Sequence, residues 1–367
     1  MKKITALTLL CILLISLFGC GEKYPPVEST AEESETVMRL SHNGKSFDVR
    51  YELYRALYLA NMRTVDGGDK SLWESEKKDE LHEKLDAIVR ERIADIYSVF
   101  YIADEIGEDV YSKEYEDAID EYIRISIEGE GTVEGHGSYE NYLDSLSENY
   151  MNYSVGVLMM RYSLALDKID LYYYGKEDET LGEKGHLEFT AEDVEAFYYG
   201  TDSVRVLRAF IQEGVRTPGE IEVLRNGLML CDTELSAALY VIGNTSITAS
   251  EVLDGQKAVG SVIGRHALDS VYFSEYTRIA LETEVGEVSP IVVIDGASDG
   301  YSDGYYIFYG LGKTEEHFER CYAEIEAAYK SEAIGKIIDD VRRELLEGIT
   351  LTEKGESLKH DNIRMDN

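Results

Sequence analysis

The sequence predicts an α+β protein: a mainly helical N-terminal region, a smaller mixed α+β region, and one long closing helix that packs back on the first. Three observations carry this. Leu81, Leu85, Ile88, Val89, Ile93, Ile96, Tyr97 and Phe100 recur at three- and four-residue steps, the period of one helix face. Residues 291–294 and 305–309 are short runs of β-branched and aromatic residues of strand length. Cys321, Ile325, Tyr329, Ala333, Ile337, Val341 and Leu345 form an unbroken four-step series within residues 315–346, too long to serve the mixed region alone.

The chain opens with Lys2 and Lys3, followed by an uncharged apolar run from Ile4 to Phe18. That run is shorter than the roughly 20 residues a membrane-spanning helix needs. A charged start, a short apolar core and a small-residue exit predict a secretory signal over residues 1–20. The exit Leu17-Phe18-Gly19-Cys20 resembles the lipobox, which implies lipidation of Cys20 and an extracytoplasmic, lipid-anchored protein. More than one acyl chain on Cys20 would anchor stably where a single chain does not. Residues 21–36, with Pro25, Pro26 and several Ser, Thr and Glu, read as a flexible spacer.

Composition narrows the function. The formal net charge is −36 over 367 residues, which repels nucleic acid and anionic headgroups, so no nucleic-acid partner is expected. Seven scattered histidines, with no CxxC and no HExxH, predict no metal and no cofactor. Outside the leader, only Cys231 and Cys321 remain, and they read as buried free thiols rather than a disulfide framework. Tyrosine is abundant, at 28 against 9 phenylalanines, and a flat ring with a polar tip suits surfaces that grip peptides as well as wet core edges.

Residues 37–175 are expected to form a helical domain entered through a strand–turn–strand, with the turn at Asn43-Gly44. Helices are predicted at about 50–62, 77–106, 113–127 and 139–166, with Gly107 as a stop and a glycine-rich loop at 129–137. A charged linker covers 176–185. The mixed domain spans 186–313. Thr190, with Asp193 three residues on, caps a short helix that ends near Gly200. Residues 204–211 read as a strand and 217–231 as a helix. Residues 314–348 are the closing helix, and 349–367 a polar tail that frays from Lys354.

Two motifs then take on meaning. Tyr276, Ala280 and the turn Gly286-Glu287-Val288-Ser289 keep the order and spacing of parvulin-type prolyl isomerases, followed by Pro290-Ile291-Val292 and Gly304-Tyr305-Tyr306-Ile307. Val204 to Ile211 is similar to the opening parvulin strand. With the lipidated start, helical module and returning helix, the layout resembles the SurA/PrsA-type extracytoplasmic foldases over nearly all the chain after the leader. The resemblance implies a chaperone-like helical domain, a parvulin-like α+β domain, and unfolded or partly folded exported proteins as partners.

The site positions depart from that pattern. The family's first histidine falls on Arg208 and its last on Tyr306; the pocket phenylalanine falls on Tyr276 and the pocket methionine on Tyr272. The family's cysteine or aspartate position has no counterpart within residues 233–268. An arginine offers a fixed charge and no acceptor where a neutral imidazole offers both roles. Loss of isomerase activity is therefore expected, with Arg208, Tyr272, Tyr276 and Tyr306 as candidate peptide-binding residues and no catalytic residue. Three readings stay open: a tethered chaperone, an active isomerase, and an envelope scaffold. The carboxylate pairs Glu192/Asp193 and Glu213/Glu220 are chance neighbours among 72 acids, and Asp299 and Asp303 lie in a hairpin loop rather than a calcium loop.

Overall fold

A computed structural model describes residues 24–131, 134–175, 185–212, 214–245, 260–267, 274–294 and 304–363. The fold is mixed α and β, as the sequence predicts, with two small antiparallel sheets and a helix bridging them.

Strands β1 (Thr36–His42) and β2 (Lys45–Arg50) form a hairpin. Its turn residues Asn43 and Gly44 both have positive φ, 48° and 81°. Asn-Gly accepts that backbone more readily than other pairs and matches the twist of the strands. Helix α1 (Tyr51–Ala60) leads through α2 (Met62–Asp66) to α3 (Lys78–Glu105), the central helix of the N-terminal region. Every residue of α3 from Ile93 to Ala103 is buried, so this stretch is enclosed on all sides. Helices α4 (Lys113–Glu128), α5 (Tyr139–Glu148) and α6 (Tyr153–Tyr174) complete the bundle. Ser138 and Asn152 cap α5 and α6 by accepting from Asn141 N–H and Val155 N–H.

The second region begins with α7 (Ala191–Tyr199), held at its start by the expected Thr190–Asp193 capping box. Its sheet has the order β4-β3-β6-β5, from β3 (Ser203–Gln212), β4 (Ser261–Gly264), β5 (Val292–Ile294) and β6 (Gly304–Leu311). Helices α8 (Pro218–Leu228) and α9 (Glu234–Asn244) cover one face, where Ile221, Leu224, Ala238 and Val241 meet Leu207, Ala209, Ile211 and Ile307. Helix α10 (Ser274–Glu282) covers the other, where Ile279 and Ala280 meet Val206 and Phe308.

The predicted closing helix is two helices. Cys321, at φ −112° and ψ 20°, separates α11 (Glu315–Arg320) from α12 (Tyr322–Glu347). The four-step series crosses the break because Cys321 and Ile325 pack into one cluster with Val194, Phe197 and Tyr198. Further along α12, Ile334, Ile338 and Leu345 enter the N-terminal core, which is the predicted return.

The expected fraying of the tail is corrected. Strand β7 (Thr350–Leu351) pairs with β1, and Thr352 Oγ1 donates to Thr36 O at 2.7 Å. After α13 (Glu353–Ser357), Leu358 and Ile363 are buried in the N-terminal core, and the His360 ring stacks on Trp73 with centroids 4.1 Å apart. Isolated apolar residues in a polar stretch carry no period, so the sequence hid them. Cys231 and Cys321 are free thiols; Cys321 is buried as expected, whereas Cys231 is half-buried. Residues 1–20, where a leader ending at Cys20 is expected, and Tyr272, Glu213, Asp299 and Asp303 lie outside the described residues.

Candidate functional site

Side chains alternate across a strand, so Val204, Val206, Arg208 and Phe210 of β3 share the face covered by α10. The antiparallel register sets Arg208 opposite Phe308 and Phe210 opposite Tyr306. Tyr276 rises from α10 across this face and meets Tyr306 edge-on at 5.4 Å and Phe308 at 4.8 Å between ring centroids. Phe210 lies 4.8 Å from Tyr306. Edge-to-face and tilted contacts at these spacings are favourable for aromatic rings.

The fold therefore brings three of the four predicted residues, Arg208, Tyr276 and Tyr306, onto one face. Their exposure differs. Tyr306 is only 5% exposed, Tyr276 and Phe210 are half-buried, and Arg208 is exposed. Tyr306 forms the floor of the patch, Tyr276 and Phe210 its open rings, and Arg208 brings a positive charge to its surface. Phe210 and Phe308 escaped the sequence reading, although counting in twos along residues 204–211 and 305–309 places both on this face.

The turn after α10 fixes that helix against the sheet. Gly286, at φ +83°, donates its N–H to Gly310 O at 2.9 Å. Ser289 N–H donates to Phe308 O, and Ser289 Oγ accepts from Phe308 N–H, both at 2.9 Å. The same hydroxyl donates to Pro290 O at 2.6 Å. These bonds explain the Gly-Glu-Val-Ser pattern as a clamp on β6.

The imidazoles of this region serve elsewhere. His317 is buried beneath α7, with Nδ1 3.1 Å from the Tyr198 hydroxyl, and burial pushes its pKa down to about 4. His266 sits in the turn after β4, with Nδ1 3.5 Å from Asp339 of α12. Lys313 donates to Gly200 O and Ser203 O, both at 2.8 Å, and burial lowers its pKa. Each pins chain to chain.

A second concavity, about 370 Å³, lies in the N-terminal region between the β-hairpin and the end of α3. Phe47, Phe100 and Val110 line it with Asp104, Glu108 and Tyr111, which is 65% exposed. Lys45 at its edge is paired to Asp104 and Glu105. Among the described residues, no group of three or more His, Cys, Asp or Glu is placed to hold a metal ion, and no helix is long and apolar enough to cross a membrane.

No family model matches the chain, and no curated protein matches it. Among solved structures, it is similar to the foldase protein PrsA from Streptococcus pneumoniae str. Canada MDR_19A, at 13% identity and a TM-score of 0.31, over 76% of this chain and 88% of that one. It is similar to PrsA from Bacillus subtilis at 13% identity and a TM-score of 0.22, over 86% and 93%. The fold described above stands on this chain's own elements.

Proposed function

We propose that the chain is a membrane-tethered extracytoplasmic chaperone that holds unfolded exported polypeptides and does not isomerise prolyl bonds. The observation that carries this reading is the α10 face of the sheet. There two half-buried aromatic rings, Tyr276 and Phe210, lie over a closed aromatic floor with an exposed arginine on the same face. Rings of this kind supply apolar contact with little sequence selectivity, which suits unfolded clients. Arg208 puts a positive charge on the same face.

The same face argues for binding without catalysis. Twisting an X–Pro bond requires stabilising a state close to 20 kcal/mol above the planar amide. Arg208 and Tyr306 stand where the family resemblance expects imidazoles, and Tyr306 is packed beneath Tyr276 rather than presented to a substrate. Tethering through Cys20 completes the proposal and follows from the leader sequence.

Two assays on the chain from residue 21 onward test it. Near-stoichiometric protein is expected to suppress aggregation of a chemically denatured client, and Tyr276→Ala to weaken that suppression. A protease-coupled assay with several residues before proline is expected to give only the uncatalysed rate. A catalysed rate that Tyr276→Ala abolishes would replace the proposal with an isomerase. No effect on aggregation would remove the chaperone reading.

A further inference from the structure

The opposite side of the same sheet carries a second surface. Helices α8 and α9 turn Ile221, Leu224, Leu228, Ala237, Ala238 and Val241 inward, yet their outer side is also apolar. Val223 is 69% exposed, Met229 55%, Leu230 86%, Leu235 58% and Leu239 56%. Leu235 and Leu239 are one turn apart on α9, and Val223 and Leu230 two turns apart along α8 and its exit. Tyr240 crosses between the helices at Gly227, where a Cβ would lie 1.9 Å from its hydroxyl, so glycine lets the pair close. Together these five side chains leave on the order of several hundred Å² of apolar surface in water, the scale at which a patch on a soluble protein marks an interaction site.

Helix α9 makes the point sharply. Its one charge, Glu234, is held by the buried Arg205 at 3.1 Å. The rest of the helix has no charged residue, and its outer leucines stand exposed where an apolar helix side is normally covered.

Charge identifies the occupant. Among the described residues, the cations beside the patch are engaged within the chain: Arg216 donates to Asn244 O at 2.6 Å, and Arg225 donates to Ser289 O at 2.7 Å and pairs with Glu222 at 3.9 Å. Glu220 and Asp232 are exposed beside it, within a chain of net charge −36. A second copy brings the same negative field, whereas an apolar segment flanked by cations is drawn to it. We propose that the outer surface of α8 and α9 is a second docking surface, taking apolar polypeptide segments flanked by lysine or arginine. This rests on the proposed chaperone function and names a client class for it.

The test uses the chain from residue 21, which keeps every described element. The probes are fluorescent peptides of one apolar core with lysine flanks or glutamate flanks, each carrying a photo-crosslinker. The lysine-flanked peptide is expected to bind at least tenfold more tightly than the glutamate-flanked one, and to crosslink within residues 223–239. Leu235→Ser with Leu239→Ser is expected to weaken its binding at least tenfold, while the melting temperature stays unchanged because both side chains are exposed. Equal binding of both peptides, or crosslinks confined to the α10 face and unaffected by the double variant, would overturn this proposal and leave the chaperone reading standing. Failure of every peptide, together with no suppression of client aggregation, would end both. A dimer in sedimentation that the double variant abolishes would make the surface a self-interface and overturn the proposal.

Discussion

The backbone N–H of His266, in the turn after β4, donates to the carboxylate of Glu332 on α12. One hydrogen bond thus ties the α+β region to the helix that completes the N-terminal core. The contact continues along α12: His266 faces Asp339, Asp339 pairs with Arg342, and Arg342 Nε lies 3.4 Å from Asp95 of α3. Glu332 and Asp95 are both buried, and burial pushes each carboxyl up to about 7.

That geometry sets a pH dependence. Glu332 titrates near 4.5 when unfolded and near 7 when folded, so the folded chain holds the extra proton between those values. Its contribution to stability is complete below about pH 4.5 and is lost as pH rises through about 7. Glu332→Gln keeps an acceptor for His266 and removes the charge. Thermal melts near pH 5 and pH 8 are expected to show a smaller pH difference in the variant, by a few degrees. Asp95 preserves part of the slope. An unchanged difference would show that Glu332 is solvated in the folded protein.

Gly335 sits one turn beyond Glu332, where a Cβ would come within 1.4 Å of His266 O. Alanine in a helix interior ordinarily gains up to about 1 kcal/mol over glycine. Here the gain is outweighed, because the obstacle is backbone and cannot rotate away. Overpacking costs about 1–3 kcal/mol. Gly335→Ala is expected to lower the melting temperature by several degrees; a rise would mean that the turn at His266 yields freely.

Arg205 is buried on β3 and donates to Gly312 O and, through both terminal nitrogens, to Glu234. Arg205→Met leaves the Gly312 carbonyl short of a donor, at about 1–3 kcal/mol. Glu234 is 42% exposed and rehydrates, so the loss stays below the 3–5 kcal/mol typical of a fully buried broken pair. Urea unfolding is expected to show this loss, and Arg205→Lys to recover part of it, since lysine lacks the fork. Full recovery by lysine would reduce the role to charge alone.

Local signals explain what the sequence disclosed. Asn43-Gly44, the face of α3 and the return of α12 each rest on short-range chemistry or on a long period. The site face was half legible: the spacing from Tyr276 to Gly286 survives, while Phe210 and Phe308 emerge only when two strands are put in register. Helix α9 and strand β4 were hidden within residues 233–268 for opposite reasons. Helix α9 is apolar on both sides and shows no polar face to set a period, and β4 has only four residues.

The clamp after α10 links stability to binding. Ser289→Ala deprives the buried Phe308 N–H of its hydroxyl acceptor, at a cost of about 1–3 kcal/mol. Gly286→Ala meets nothing within 4 Å, so its cost is only the left-handed backbone, about 1 kcal/mol. The serine variant is therefore expected to melt lower than the alanine variant at Gly286. It also loosens the anchor at the C-terminal end of α10, the helix whose first turn carries Tyr276 over Tyr306. Client retention is expected to fall in Ser289→Ala at temperatures where the chain is still folded, and to hold in Gly286→Ala. Equal retention in both variants would show that the Tyr276 ring is positioned by its contacts with Tyr306 and Phe308 alone, without help from the turn.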